Sequence, residues 1–223
     1  MRGIHIFCLI LCISATWSKS INDKIIGGQD AKPGQFPYQV VWCEEFLIQG
    51  YTFCTPLCGG SILDKNTVIT SGECCEFYAD PIYGADLNNT FIIAGELDIG
   101  MPIEVFEQVR EIKDYLIYPH DTYISDNMTC LLTLDTPLEW NENVQGIELD
   151  DHDPLDSTTC QVSGWGIDHF SPNNNTAPTT LQWTEVEVRS DYFCHALMEL
   201  SYDPSTMICT STPVSSFMRS FFS

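Results

Sequence analysis

Short apolar or β-branched runs recur along the chain between turn signals. They fall at 36–42 (FPYQVVW), 61–63 (SIL), 66–70 (NTVIT), 91–95 (FIIAG), 109–117 (VREIKDYLI), 130–134 (CLLTL), 160–165 (CQVSGW) and 181–188 (LQWTEVEV). Runs of this length and composition predict strands. Gly27-Gly28, Lys32-Pro33-Gly34, Asp64-Lys65-Asn66 and Ser171-Pro172-Asn173 punctuate them, each a residue combination that favours turns. The regular spacing, with few helical periods, predicts an all-β architecture of barrels or sandwiches. One stretch, 190–200 (SDYFCHALMEL), predicts a short helix capped at Ser190 or Asp191. The polar segment 139–159 reads as a linker between two halves. There is no internal repeat.

The N-terminus changes the picture of where the chain works. Met1-Arg2 is followed by the apolar run 4–13 and then by Thr16-Trp17-Ser18, which places small residues at a cleavage position. This pattern predicts a secretory signal over 1–18, too short for a membrane span. No later run is long and apolar enough to cross a bilayer, so the expected mature chain is soluble and extracellular. Two of the 11 cysteines, Cys8 and Cys12, fall in the signal; positions 43, 54, 58, 74, 75, 130, 160, 194 and 209 remain. An extracellular chain this rich in cysteine is expected to carry disulfides, and an odd number leaves at least one thiol without an intramolecular partner. Connectivity among Cys43, Cys54, Cys75 and Cys130 stays open at this level.

The formal net charge is −22, with only 9 Lys and Arg. That excludes nucleic acid as a partner, because binding it requires neutralising phosphates with basic side chains. The simpler meaning of the acidity is a solvated surface that keeps a secreted protein soluble; the sharper one is a basic partner or bound cations.

Several separated motifs fall into one order: IIGG at 25–28, CGGSIL at 58–63, VITSGEC ending at Cys74, IIAGELD at 92–98, DNMTCLLTL at 126–134, CQVSGWG at 160–166 and TMIC at 206–209. In this order and at these spacings they resemble the trypsin/chymotrypsin-like serine protease family, most closely its invertebrate trypsin-like members. The last residues, 211–223, match nothing in it. The resemblance implies a chymotrypsin-like double antiparallel β-barrel with the second barrel incomplete. The division would be a propeptide at 19–24, a first barrel over about 25–138, the linker at 139–159 and a partial second barrel over 160–223. It implies disulfides Cys58–Cys74 and Cys194–Cys209. It also makes Cys160 the candidate for the unpaired thiol.

Acyl transfer in this family uses a serine nucleophile, a histidine base, an orienting aspartate and backbone oxyanion donors. The resemblance places Glu73 where the histidine is expected and Met128 where the aspartate is expected. A free glutamate has a pKa of about 4.3, against about 6.5 for histidine, and is the weaker base. Asp126 would share a strand face with Met128 but at another depth. The family's Gly-Asp-Ser-Gly-Gly-Pro motif does not occur, and Ser215 and Ser216 lack a Gly-rich turn. His120, His152, His169 and His195 stand away from the expected catalytic position and read as surface residues; no Cys/His spacing suggests zinc. The expectation from these residues is that the chain is not an enzyme. It would be a secreted non-catalytic serine protease homologue acting by protein binding or regulation, its partner an active protease or that protease's substrate, with no nucleic acid and no membrane. The alternative is a truncated or wrongly spliced sequence of a secreted serine-type endopeptidase.

Three further features follow from the resemblance or from local motifs. Lys24-Ile25 is similar to the family's zymogen cleavage site. The stretch 95–108 (GELDIGMPIEVFEQ) is similar to the family's calcium loop, with Glu96, Glu104 and Glu107 at its acidic positions. Carboxylate oxygens suit calcium, and the competing expectation is a solvated acidic loop. No cofactor is required; calcium is the one cation implied. Asn88, Asn127 and Asn174 each begin a glycosylation sequon. Asn88 and Asn174 lie in polar loops and are the expected sites, whereas Asn127 adjoins a strand and is expected to be poorly accessible.

Overall fold

The computed structural model describes residues 28–79, 87–118, 129–166, 178–198, 202–205 and 207–211. Ten strands and two helices occur among them. Strands β2 (Gln39–Ile48), β3 (Tyr51–Asp64), β4 (Thr67–Ser71), β5 (Thr90–Ala94), β6 (Gln108–Tyr118) and β7 (Thr129–Leu134) close into an antiparallel barrel in the order β2-β3-β4-β7-β6-β5. A second sheet pairs β9 (Gln182–Val188) with the short strands β1 (Gln29–Asp30) and β10 (Thr210–Ser211) and with β8 (Thr159–Gly164). Helix α1 (Gly72–Tyr78) follows β4, and α2 (Asp191–Met198) follows β9. A closed barrel beside a second antiparallel sheet is the chymotrypsin-like arrangement implied above. The predicted helix at 190–200 is α2.

The apolar runs at 40–43 and 91–94 are continuous rather than alternating, and the packing explains why. Successive strand side chains point to opposite faces. Val40 and Trp42 point into the barrel core with Ile62, Val68, Ile92 and Leu132. Their neighbours Val41 and Cys43 face the other way, into a second core with Phe36, Ile93, Trp165 and Leu181. Residues 40–43 of β2 and 91–94 of β5 are therefore buried on both faces, and all of them are apolar. This second core, through Trp165, Leu181 and Trp183, joins the barrel to the second sheet.

At Gly60, β3 passes close against β4. A Cβ there would stand 2.9 Å from both the Ile69 carbonyl oxygen and the Val68 side chain, so a larger residue would push the strands apart. The segment after β7 holds no strand or helix until β8, yet it is tied to the barrel. Leu138 and Val144 are buried in its core, and Gln145 and Ile147 donate backbone hydrogen bonds to the carbonyls of Pro37 and Ile62 at 2.9 Å each.

Strands β2 and β3 run well past the barrel as a hairpin that the sequence pattern did not predict. The pairing of β2 with β5 ends at Glu44 opposite Thr90, while β2 and β3 stay paired out to Ile48 opposite Tyr51. The turn residues Gln49 and Gly50 have φ of 53° and 88°. Positive φ at both central positions is what a two-residue hairpin turn needs to match strand twist, and glycine supplies it without strain.

Candidate active-site turn and acidic loop

The turn that carries Glu73 is built from the end of β4. Ser71 is the N-cap of α1, with extended backbone (φ −67°, ψ 143°), and its hydroxyl accepts a hydrogen bond from the Glu73 backbone N–H at 3.3 Å. A serine cap satisfies one of the amides left open at a helix start. The adjacent cysteines then fix the helix. Successive helix residues point about 100° apart, so Cys74 and Cys75 reach different strands. Cys74 is bonded to Cys58 on β3, and Cys75 to Cys130 on β7. Cys75 and Cys130 are fully buried, whereas Glu73 is exposed. One seven-residue helix is thus riveted to two barrel strands, with its acid held at the surface. The sequence pattern alone does not disclose the Cys75–Cys130 bond; the adjacency of Cys74 and Cys75 on a turn was the available signal.

Other expected positions are distributed as follows. Cys194, at the centre of α2, is bonded to Cys209, and Cys43 to Cys54 across the base of the hairpin. Cys160, opposite Val186 on β9 and partly buried, is the one described cysteine outside a disulfide. His152 is exposed, with Nδ1 2.5 Å from an Asp151 carboxylate oxygen. His195 is exposed on α2, its ring edge-on to Tyr202 at 5.2 Å. Asn88 is exposed in a single 3₁₀ turn, Leu87–Asn89. Lys24, Ile25, His120, Asp126, Asn127, Met128, His169, Asn174, Ser215 and Ser216 lie outside the described residues.

The structure brings the three loop acids into one place. Glu96, Glu104 and Glu107 line a cavity of about 440 Å³ together with Asp98 and Glu142. Glu96 is only 6% exposed. One Glu96 oxygen accepts from the Asp98 backbone N–H at 2.7 Å, and one Glu107 oxygen accepts from the Glu104 N–H at 2.6 Å. Burial, then the facing Glu107 carboxyl, push the Glu96 pKa from 4.5 up to about 7. Burial also raises Glu107. Lys32 is the one basic residue in the lining. Converging, partly desolvated carboxylates with so little positive charge form the donor set that a hard cation takes. Among the described residues, the three acidic or imidazole groups whose ligand atoms all lie within 4.8 Å of one another are Asp150, Asp151 and His152, exposed and outside this cavity.

Comparison with known proteins places the chain. The family model for trypsin matches residues 25–217. The chain is 35% identical over 193 residues to trypsin-1 of Astacus astacus, covering 85% of this chain and 75% of that one. It is 28% identical over 214 residues to a trypsin of Sarcophaga bullata, covering 94% and 76%, and 29% identical over 196 residues to trypsin V-A of Rattus norvegicus, covering 87% and 70%. These relatives carry the names of active proteases, and this corrects the expectation, drawn from Glu73, Met128 and the missing serine motif, that the chain is not an enzyme. The physical reason that expectation fell short is that it judged the chain on a few aligned positions, one of them outside the described residues, while the resemblance extends over nearly the whole length. With the closed barrel, the second sheet and this extended match all in agreement, the chain belongs to the trypsin family of serine proteases.

Proposed function

We propose that the chain is a secreted serine-type endopeptidase sequence, made as a precursor and cut after Lys24. The observation that supports this most is its 35% identity to a named trypsin over 85% of its length. Four disulfides among the described residues suit an oxidising, extracellular compartment, and no described helix is long and apolar enough to cross a membrane. Glu73 is the exposed ionisable group at the start of α1, and carboxylates serve as general bases in other enzymes. Because glutamate is a weaker base than imidazole, turnover through this turn is expected to be slow.

The test uses the full chain, cut after Lys24, on fluorogenic peptides ending in Arg or Lys, beside the Glu73→Gln variant. Turnover in the parent that falls sharply in the variant supports the reading. No turnover from protein shown by circular dichroism to be folded overturns it. Glu96, Glu104 and Glu107 would hold a calcium ion, which supplies positive charge to a loop that otherwise repels itself. Asn174 is the proposed glycan site, checked by mass-shift on deglycosylation.

A further inference from the structure

The β2–β3 hairpin has a feature that folding alone does not require. Its outer residues Phe46, Leu47, Ile48 and Tyr51 are 53%, 62%, 44% and 63% exposed. Phe46 pairs with Phe53, and Ile48 with Tyr51, so cross-strand partners place Phe46, Ile48, Tyr51 and Phe53 on one face and Leu47 on the other. The hairpin is held in shape by the Cys43–Cys54 bond at its base and by the tight Gln49-Gly50 turn. A rigid, exposed apolar hairpin is an aggregation liability unless something covers it.

A groove of about 530 Å³ opens beside it. Tyr51, Phe91, Pro102, Ile103 and Val109 supply its apolar lining, and Glu45 and Glu111 its acids. The Ile103 backbone N–H donates to the Thr52 carbonyl at 3.1 Å, which fixes the hairpin against the 102–103 loop and keeps the groove formed. No Lys or Arg is among the residues lining it. We propose that this groove is a docking site for a basic segment of a partner protein. An apolar side chain of the partner enters between Tyr51 and Ile103, and flanking Lys or Arg pair with Glu45 and Glu111. Charge decides the occupant. With a net charge of −22, a second copy of this chain or an anionic membrane would be repelled over long range, while a cationic partner is drawn in. Aromatic anchors beside opposite charges are the usual makings of a protein interface.

The experiment does not depend on proteolysis. A labelled peptide of alternating Lys and Leu is titrated into the full chain by fluorescence anisotropy, with peptide integrity checked by mass spectrometry. Saturable binding is expected, weakened at least tenfold by Tyr51→Ser with Ile103→Ser. Glu45→Gln with Glu111→Gln should weaken it too and flatten its salt dependence. Circular dichroism of each variant confirms that it folds. Peptide binding that ignores both pairs of substitutions would mean diffuse attraction to an acidic surface and would overturn the site. So would no binding, a dimer by sedimentation that the Tyr51 variant abolishes, or tighter binding to phosphatidylcholine vesicles than to the peptide.

Discussion

Removing the Cys75–Cys130 bond should cost more stability than removing any other disulfide described here, by an amount that loop length sets. The two cysteines are 55 residues apart, against 11 for Cys43 and Cys54. In the chain-entropy account, a cross-link stabilises by denying the unfolded chain conformations, and the effect grows with the logarithm of the closed loop. That relation gives about 4 kcal/mol for the longer loop and about 3 for the shorter, a difference of about 1.4 kcal/mol. The comparison is clean for two reasons. The Cys58–Cys74 loop ends just before the Cys75–Cys130 loop begins, so the loops are in tandem and neither shortens the other. All four cysteines are also buried, so Ala replacements leave similar small cavities. The assay is urea unfolding followed by tryptophan fluorescence, comparing Cys75→Ala/Cys130→Ala with Cys43→Ala/Cys54→Ala. Equal losses, or a larger loss from the hairpin pair, would refute the reasoning and show that the bond at α1 acts on the folded state rather than on the unfolded chain.

The cavity of acids predicts an unusual pH response. Glu96 has a folded pKa raised above its unfolded value, so its contribution is favourable at low pH and is lost as pH rises from about 4.5 to about 7. Glu96→Gln should therefore stabilise the calcium-free protein at pH 8 and leave it unchanged near pH 4. The gain at pH 8 is up to about 3 kcal/mol, because each tenfold change in proton affinity is worth about 1.4 kcal/mol; thermal melts at both pH values check this. Adding calcium chloride at pH 7.5 should raise the melting temperature of the parent and not that of Glu96→Gln/Glu107→Gln, since a ligand stabilises only the state that binds it. Leu132→Ala, in the fully buried barrel core, should cost about 2–5 kcal/mol. Leu155→Ala, at a residue 79% exposed, should stay within about 0.5 kcal/mol in the same urea titrations.

The barrel was legible in the sequence wherever burial left a pattern. Strands β4 and β7 have one face in the core, and their period of two is visible at Val68 and Thr70 and at Cys130, Leu132 and Leu134, whereas a bulge between Ile112 and Asp114 breaks it in β6. Strands β2 and β5 show the continuous apolar runs of elements buried on both sides. The hairpin beyond Cys43 was not legible for the opposite reason. Its residues face solvent on both sides, so no core imposes alternation, and Glu44-Glu45 followed by Phe46-Leu47-Ile48 reads as irregular. Helix α1 escaped because seven residues span only two turns, too short for a helical period to show.

The active-site turn shows where local sequence stops being informative. Glu73 stands out in the sequence, and the structure explains its placement. A serine cap starts the helix and two disulfides hold it, so the acid stands exposed on a turn fixed to the barrel at two strands. What a side chain does there depends on groups brought from elsewhere in the chain, because acid, base and nucleophile act as one unit whose separate contributions do not add. Removing one member of such a unit can cost nearly as much as removing them all, so whether this turn works is read from turnover of the folded chain and not from the residues of the turn alone. The acidic loop gives the complementary case. There the sequence named three glutamates, and their chemistry follows from being together: Glu96 is buried against Glu107, so each alters the charge of the other. If the Glu96→Gln melt at pH 8 shows no gain without calcium, the burial penalty on the Glu96 carboxylate is already relieved by protein or solvent groups. The loop would then be an acidic surface feature with no reason to recruit a cation.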